Sequence, residues 1–111
     1  MTIQQLADKL NLTVFTASEG LEREIEGGYV SDLLSDVMGH AREGEVWITL
    51  QSHVNVVAIA SLKELAAIVL VKGIEPEEAV IEKAAEEGIP ILGTSEQTFL
   101  TAGKLFQELN G

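Results

Sequence analysis

From Gly27 onward the chain alternates, without a break, between short apolar runs and helix-length ones. "GGYVSD" leads into "SDLLSDVMGHA", "GEVWITL" into "HVNVVAIASLKEL", "AAIVLV" into "EPEEAVIEKAAEEG", and "IPILGT" into "SEQTFLTAGKLFQEL". This β-α repeat leaves few folds open. Each helix is long enough to return the next strand parallel to the last, by a right-handed crossover. The run "AAIVLV" is continuous rather than alternating, as expected of a strand covered on both faces. The expected class is therefore α/β: a small, largely parallel sheet of about four strands with helices on its faces, plus an N-terminal helix and edge strand.

The segment before Gly27 supplies those last two elements. "TIQQLADKLNL" predicts a helix capped by Thr2, with Gln5 completing a capping box and Ile3, Leu6 and Leu10 forming the apolar stripe. "LTVFT" reads as a strand and "ASEG" as a turn. Further on, Ser31 is the expected cap of a helix whose Leu33, Leu34, Val37 and Met38 share a face. Pro76 is expected in the first turn of its helix and Gly88 just past the end. Gly27-Gly28 predicts a positive φ or a close backbone approach.

At 111 residues the whole chain, 1–111, reads as a single domain. Apolar residues are 46% of it and aromatics 5%, so the core must be aliphatic. The absence of cysteine excludes disulfides, thiolate nucleophiles and cysteine-based zinc sites. The net charge of -11 comes from 18 acidic and 7 basic residues, and the basic ones are scattered. Phosphate-backbone binding needs clustered Lys and Arg, so neither nucleic acid nor an anionic membrane is an expected partner. The N-terminus lacks the pattern of a signal peptide, and no apolar run approaches the ~20 residues of a membrane span. A cytoplasmic location is expected.

In an open parallel sheet, ligands sit beyond the carboxyl ends of the strands. Four segments should meet there: Ser31-Asp32, Gln51-Ser52-His53 with Asn55, Lys72-Gly73, and Thr94 in "GTS". Three of them should open helices, whose free N–H groups favour an anion or a polar small molecule. Lys72 is the one Lys or Arg in the set. His53 lacks the sequence signature of a nucleophile elbow, and two isolated histidines, His40 and His53, make no metal site. His40 is expected at a helix C-terminus. Asp32 and Asp36, four apart, could share a helix face and bind a hard cation, although a solvated helix start accounts for them equally. No phosphate-loop or dinucleotide motif is present, and no cofactor is implied.

The helix after His53 carries one apolar face of Val54, Val57, Ala58 and Leu62, and a second of Val56, Ile59 and Ala60. One face can cover the sheet. The other predicts a homodimer interface, unless the N-terminal elements fold over it.

Beyond these readings, "GGYVSDLLSDVM", "WITLQSHVNVVAIA" and "EEGIPIL" resemble the DRTGG domain, and the resemblance runs through nearly the whole chain. That family is similar to the N-terminal domain of HPr kinase/phosphorylase, and it occurs beside CBS domains in regulated pyrophosphatases. The resemblance implies a regulatory module that binds a small ligand, anionic or nucleotide-like, or a partner protein, and catalyses nothing. The Asp-Arg pair of the family's name falls at Ser52-His53, and Thr-Gly-Gly at Val71-Lys72-Gly73, of which Gly73 is retained. Two alternatives stand beside it: a small enzyme using His53 with a carboxylate such as Asp32, and a DNA-binding regulator whose "TIQQLADKLNL" would open a helix-turn-helix.

Overall fold

The computed structural model describes residues 1–16 and 18–111. The elements run in the expected order: α1 (Ile3–Leu10), β1 (Thr13–Val14), a 3-10 turn (Ser18–Glu22), β2 (Gly27–Val30), α2 (Leu34–His40), β3 (Glu45–Thr49), α3 (Asn55–Leu62), β4 (Ala67–Leu70), α4 (Glu78–Glu87), β5 (Ile91–Gly93) and α5 (Thr98–Asn110). The "ASEG" turn falls on the 3-10 segment, with Ala17 outside the described residues. One five-stranded sheet has the order β1-β5-β4-β3-β2. Strands β2 to β5 are parallel neighbours, and β1 adds to β5 antiparallel.

Alternation along the strands builds two cores. Val46, Ile48, Ala67, Val69 and Leu92 face one side, where they meet Ile3, Leu6 and Ala7 of α1 and Leu105 of α5. Trp47, Ile68, Leu70 and Ile91 face the other, where they meet Val37 of α2, four residues of α3, and Val80 and Ala84 of α4. Every residue of β4 is buried, as its unbroken apolar run required.

Local chemistry explains the ends of the elements. Thr2 Oγ1 accepts from Gln5 N–H at 3.1 Å, and Gln5 Oε1 accepts from Thr2 N–H at 2.9 Å, so the capping box forms. Gly88 caps α4 in the left-handed region at φ 70°, a conformation glycine adopts without penalty. Pro76 lies just before the cap, Glu77, rather than inside the helix. Thr16 secures the β1 segment: its buried hydroxyl donates to Ile89 O at 3.1 Å and accepts from Ile91 N–H at 2.9 Å. Arg23 crosses to the turn after α3 and donates to the Leu65 and Glu64 carbonyls.

Other expectations change as well. Ser31 does not cap α2; the cap position is Leu33, which offers no side-chain oxygen. Leu33 and Met38 accordingly point outward, while Val37 is fully buried. The second apolar face of α3 is not free either. Val56, Ile59 and Ala60 are at most 7% exposed, because α3 is the middle helix of its layer and packs against both α2 and α4. The apolar residues it leaves in water are Val54, Ala58 and Leu62, from its other face. The face of Val56, Ile59 and Ala60 is therefore not available as a dimer interface. Finally, α1 is followed by strand β1, not by a second α-helix, so it does not open a helix-turn-helix.

The glycine pair resolves into two different positions. Neither has a positive φ. A Cβ on Gly28 would lie 2.8 Å from Leu105 Cδ2, whereas one on Gly27 meets only the Glu45 carboxylate at 3.4 Å. Close approach of α5 is the constraint, and it acts on Gly28 alone. Gly28→Val should lose about 1–2 kcal/mol through overpacking, and Gly27→Val should melt within about 0.5 kcal/mol of the parent. Urea titration of both variants checks this ordering.

Candidate functional site

The register of the parallel strands lines up the loops at their carboxyl ends. Val30 pairs with Ile48, Thr49 with Leu70, and Leu70 with Gly93. Ser31-Asp32, Leu50 to His53, Val71 to Gly73, and Thr94-Ser95 therefore follow one another along a single end of the sheet. At about 4.8 Å per strand the row spans roughly 14 Å.

The row has two halves. In the first, Asp32 clamps the loop after β3. Its Oδ1 accepts from Thr49 Oγ1–H at 2.8 Å and from Leu50 N–H at 2.7 Å, and its carbonyl accepts from the Gln51 side-chain amide at 2.9 Å. Trp47 reinforces the junction from below, donating its indole N–H to Ser31 O at 2.8 Å. Ser31 turns its own loop, accepting from Leu33 N–H at 3.1 Å. His53 acts locally too: its Nδ1 accepts from Asn55 N–H at 3.2 Å and its carbonyl from Val56 N–H. Asp32 is thus engaged with Thr49 and Leu50, and His53 with the start of α3. No hydrogen bond joins the two among the described residues.

The second half lies at the β4–β5 end. Lys72 N–H donates to Glu96 O at 2.8 Å and Gly73 N–H to Thr94 O at 2.9 Å, which closes the two loops on each other. Thr94 Oγ1 accepts from Glu96 N–H at 3.2 Å. Lys72 and Gly73 both sit in the left-handed region, at φ 59° and 74°. For glycine that is ordinary; for lysine it costs about 1 kcal/mol. The Lys72 side chain is exposed and makes no ion pair among the described residues.

Ser31, Ser52 and Thr94 all stand ahead of their helices, and the caps are Leu33, Val54 and Gln97. Anion binding by helix ends that these hydroxyls would open is therefore not available in the expected form. The topology supplies a different feature. The helices after β2, β3 and β4 lie on one face, and α5 after β5 crosses to the other. The connections thus part between β4 and β5, the kind of point where α/β sheets open a crevice. A small cavity of about 230 Å³ lies there, lined by Thr13, Phe15, Gly73, Ile74, Thr94 and Ser95 among others. Thr13, Phe15 and Ile74 are members that sequence reasoning missed. They come from the edge strand and from the turn before α4, and no polar motif marks them.

A separate polar cluster sits on α2. The Tyr29 hydroxyl donates to Asp36 Oδ2 at 2.8 Å, and His40 Nδ1 lies 3.3 Å from the other carboxylate oxygen. Asp36 is therefore committed to Tyr29 and His40 rather than paired with Asp32, and among the described residues no group of three or more acidic or His side chains is placed to hold a metal ion. The hydrogen bond from Tyr29, with help from Ser31 and His40, holds the Asp36 carboxyl below its ordinary 3.8, and the same bond pushes the Tyr29 hydroxyl above its ordinary 10.0. Asp36 thus adds stability at neutral pH that is lost as acid protonates it below the usual carboxylate range. Tyr29 adds stability that is lost as pH rises through its raised value. Tyr29 is the one tyrosine of the chain, so tyrosinate absorbance reads it directly. Asp36→Asn should bring its titration back toward 10.0.

Comparison with known proteins places this arrangement among others. The model of the DRTGG domain family matches residues 5–107. A solved structure of the CBS and DRTGG domains of the regulatory region of Clostridium perfringens pyrophosphatase, complexed with its activator diadenosine tetraphosphate, superposes with a TM-score of 0.76 at 18% identity. The match covers 94% of this chain and 45% of that one, so this chain spans less than half of that regulatory region. No curated protein sequence matches the chain. No helix among the described residues is long and apolar enough to cross a membrane.

Proposed function

The chain belongs to the DRTGG domain family, and from that premise we propose that it is a regulatory module which binds a small anionic or nucleotide-like ligand at the carboxyl ends of β2 to β5 and performs no chemistry on it. The observation that carries this reading is Lys72: an exposed cation, without an ion pair among the described residues, held in a left-handed backbone position beside the β4–β5 crevice. Backbone strain of this kind concentrates at functional sites. By the alignment above, the position corresponds to a glycine of the family motif, which would be free of that strain. The crevice itself is smaller than the ~300 Å³ at which ligand pockets usually begin. A ligand would therefore anchor there and extend along the row toward Gln51, Ser52 and His53, whose loop Asp32 already fixes. That length suits a nucleotide better than a bare anion. The similarity to a regulatory region bound to a dinucleotide supports the same ligand class.

Lys72→Gly separates stability from binding. Relief of the left-handed strain should stabilise the free protein by about 1 kcal/mol, while loss of the cation should weaken the ligand. The experiment is a thermal-shift screen of mono- and dinucleotides, diadenosine tetraphosphate included, on both proteins. A ligand that raises the melting temperature of the parent more than that of Lys72→Gly supports the reading. A ligand that stabilises both equally, or no stabilisation by any nucleotide, contradicts it. A turnover of the bound ligand lost in His53→Ala would favour the enzyme instead.

A further inference from the structure

Away from the carboxyl-end loops, a groove of about 570 Å³ lies between α5 and the sheet, over β2 and the adjoining Glu45 and Ile48 of β3. We propose that it docks an extended, basic and apolar segment of a partner protein, which adds to β2 as a further strand. Nothing in this proposal depends on the small-ligand site, because none of the residues assigned to that site lines the groove.

Three observations carry it. The first is that β2 ends the strand order, so its outer edge has no strand partner among the described residues. Such an edge is a ready template, and natural proteins usually guard it with Lys, Pro or a bulge. The sequence Gly27-Gly28-Tyr29-Val30 has none of the first two. The second is shape. Gly28 and Val30 form an exposed floor and α5 forms the wall. Wall and floor meet at Gly28, where Leu105 of α5 lies 2.8 Å from the place a Cβ would take. The wall continues outward as an apolar stripe: Phe106 is 69% exposed, and Phe99, two turns earlier on the same helix face, 77%. Val30, at 48%, lines the groove together with Phe106, so these two are neighbours and not scattered single residues. Alternate side chains of an added strand would drop into this groove, which is how strand addition acquires specificity.

The third is charge, and it decides the occupant. The charged residues lining the groove are Glu26 and Glu45. Glu26 makes no ion pair among the described residues, and Glu45 Oε1 accepts from Arg42 N–H at 2.6 Å. The lysines of α1 and α5 are directed elsewhere, Lys9 to Glu108 and Lys104 to Glu96. A second copy would bring its own Glu26 and Glu45, in a chain of net charge -11, against this acidic rim. Like charges set face to face oppose that pairing, while a segment carrying Lys or Arg beside alternating apolar residues complements it.

The test is a selection of phage-displayed random dodecapeptides on the intact protein, counter-selected on Phe106→Asp, followed by anisotropy titration of the enriched peptides. Phe106 is exposed, so its aspartate variant should fold, and circular dichroism checks that it does. The expected result is enrichment of peptides with Lys or Arg beside alternating apolar residues. Their binding should fall at least tenfold in Phe106→Asp and about tenfold in Glu26→Lys, and should weaken with salt. No enrichment over the Phe106→Asp bait, enrichment of acidic peptides, or binding indifferent to both variants overturns the proposal. A concentration-dependent dimer that Phe106→Asp turns into a monomer assigns the groove to a second copy and overturns it equally.

Discussion

Trp47→Ala should be the most damaging single change outside the glycines and prolines, lowering stability by about 3–5 kcal/mol. Trp47 is wholly buried in the middle of β3, and its ring is the largest side chain of the core shared with α2, α3 and α4. Deleting it leaves a cavity that the aliphatic neighbours, fixed by two layers of helix, fill only in part. It also strips Ser31 O of the indole N–H at 2.8 Å. Domains of this kind have about 5–15 kcal/mol to lose, so the variant should be marginal. Trp47→Phe isolates the second term: it keeps most of the ring volume and removes the hydrogen bond, at an expected cost of about 1–2 kcal/mol. Guanidinium unfolding followed by far-ultraviolet circular dichroism measures both. Equal loss in the two variants would mean that the hydrogen bond, not the packing, dominates.

Asp32→Ala should cost about 2 kcal/mol, a large effect for an exposed residue. Hydrogen bonds to a charged group are each worth more than neutral ones, and this carboxylate takes two, from the Thr49 hydroxyl and Leu50 N–H. Thr49 is only 1% exposed. Without Asp32 its hydroxyl still accepts from Gln51 N–H but loses its acceptor, in a place water reaches poorly. Asp32→Asn keeps an acceptor oxygen and should recover roughly half of the loss. Because the clamp fixes the Gln51 to His53 loop, amide exchange of that loop should accelerate in Asp32→Ala while α1 and α4 stay protected. A loss spread evenly over the whole chain would show that Asp32 supports the fold at large and not this loop.

The architecture was readable because it rests on periodicity. Alternation of strand and helix signals from Gly27, the unbroken "AAIVLV" of β4, and the Thr2–Gln5 box each express a local rule, and each appears as expected. The errors come from neighbours that local rules do not see. The sequence of α3 says only that something must cover Val56 and Ile59; that α2 and α4 do so is a property of the strand order. Ser31, Ser52 and Thr94 suit helix caps by residue type, yet the chain uses two or three more residues to leave each strand before it turns into a helix. The loop row could be listed residue by residue from the β-α repeat. Its clamps could not. Asp32 meets Thr49 across seventeen positions of sequence, and the crevice lining from Thr13 and Phe15 arrives from an edge strand that nothing polar announces. The groove at β2 was the least legible feature, since it depends on how α5, from the far end of the sequence, lies against Gly28.

The central claim is that the loop row binds a small ligand without transforming it. The most direct measurement is a two-dimensional amide NMR titration of the domain with the nucleotide that stabilises it most. The shifted amides should concentrate at Lys72, Gly73, Ile74 and Thr94, extend to Gln51, Ser52 and His53, and shrink in Lys72→Gly, with the ligand recovered unchanged. Shifts confined to β2 and α5, or spread without preference over the surface, would contradict it.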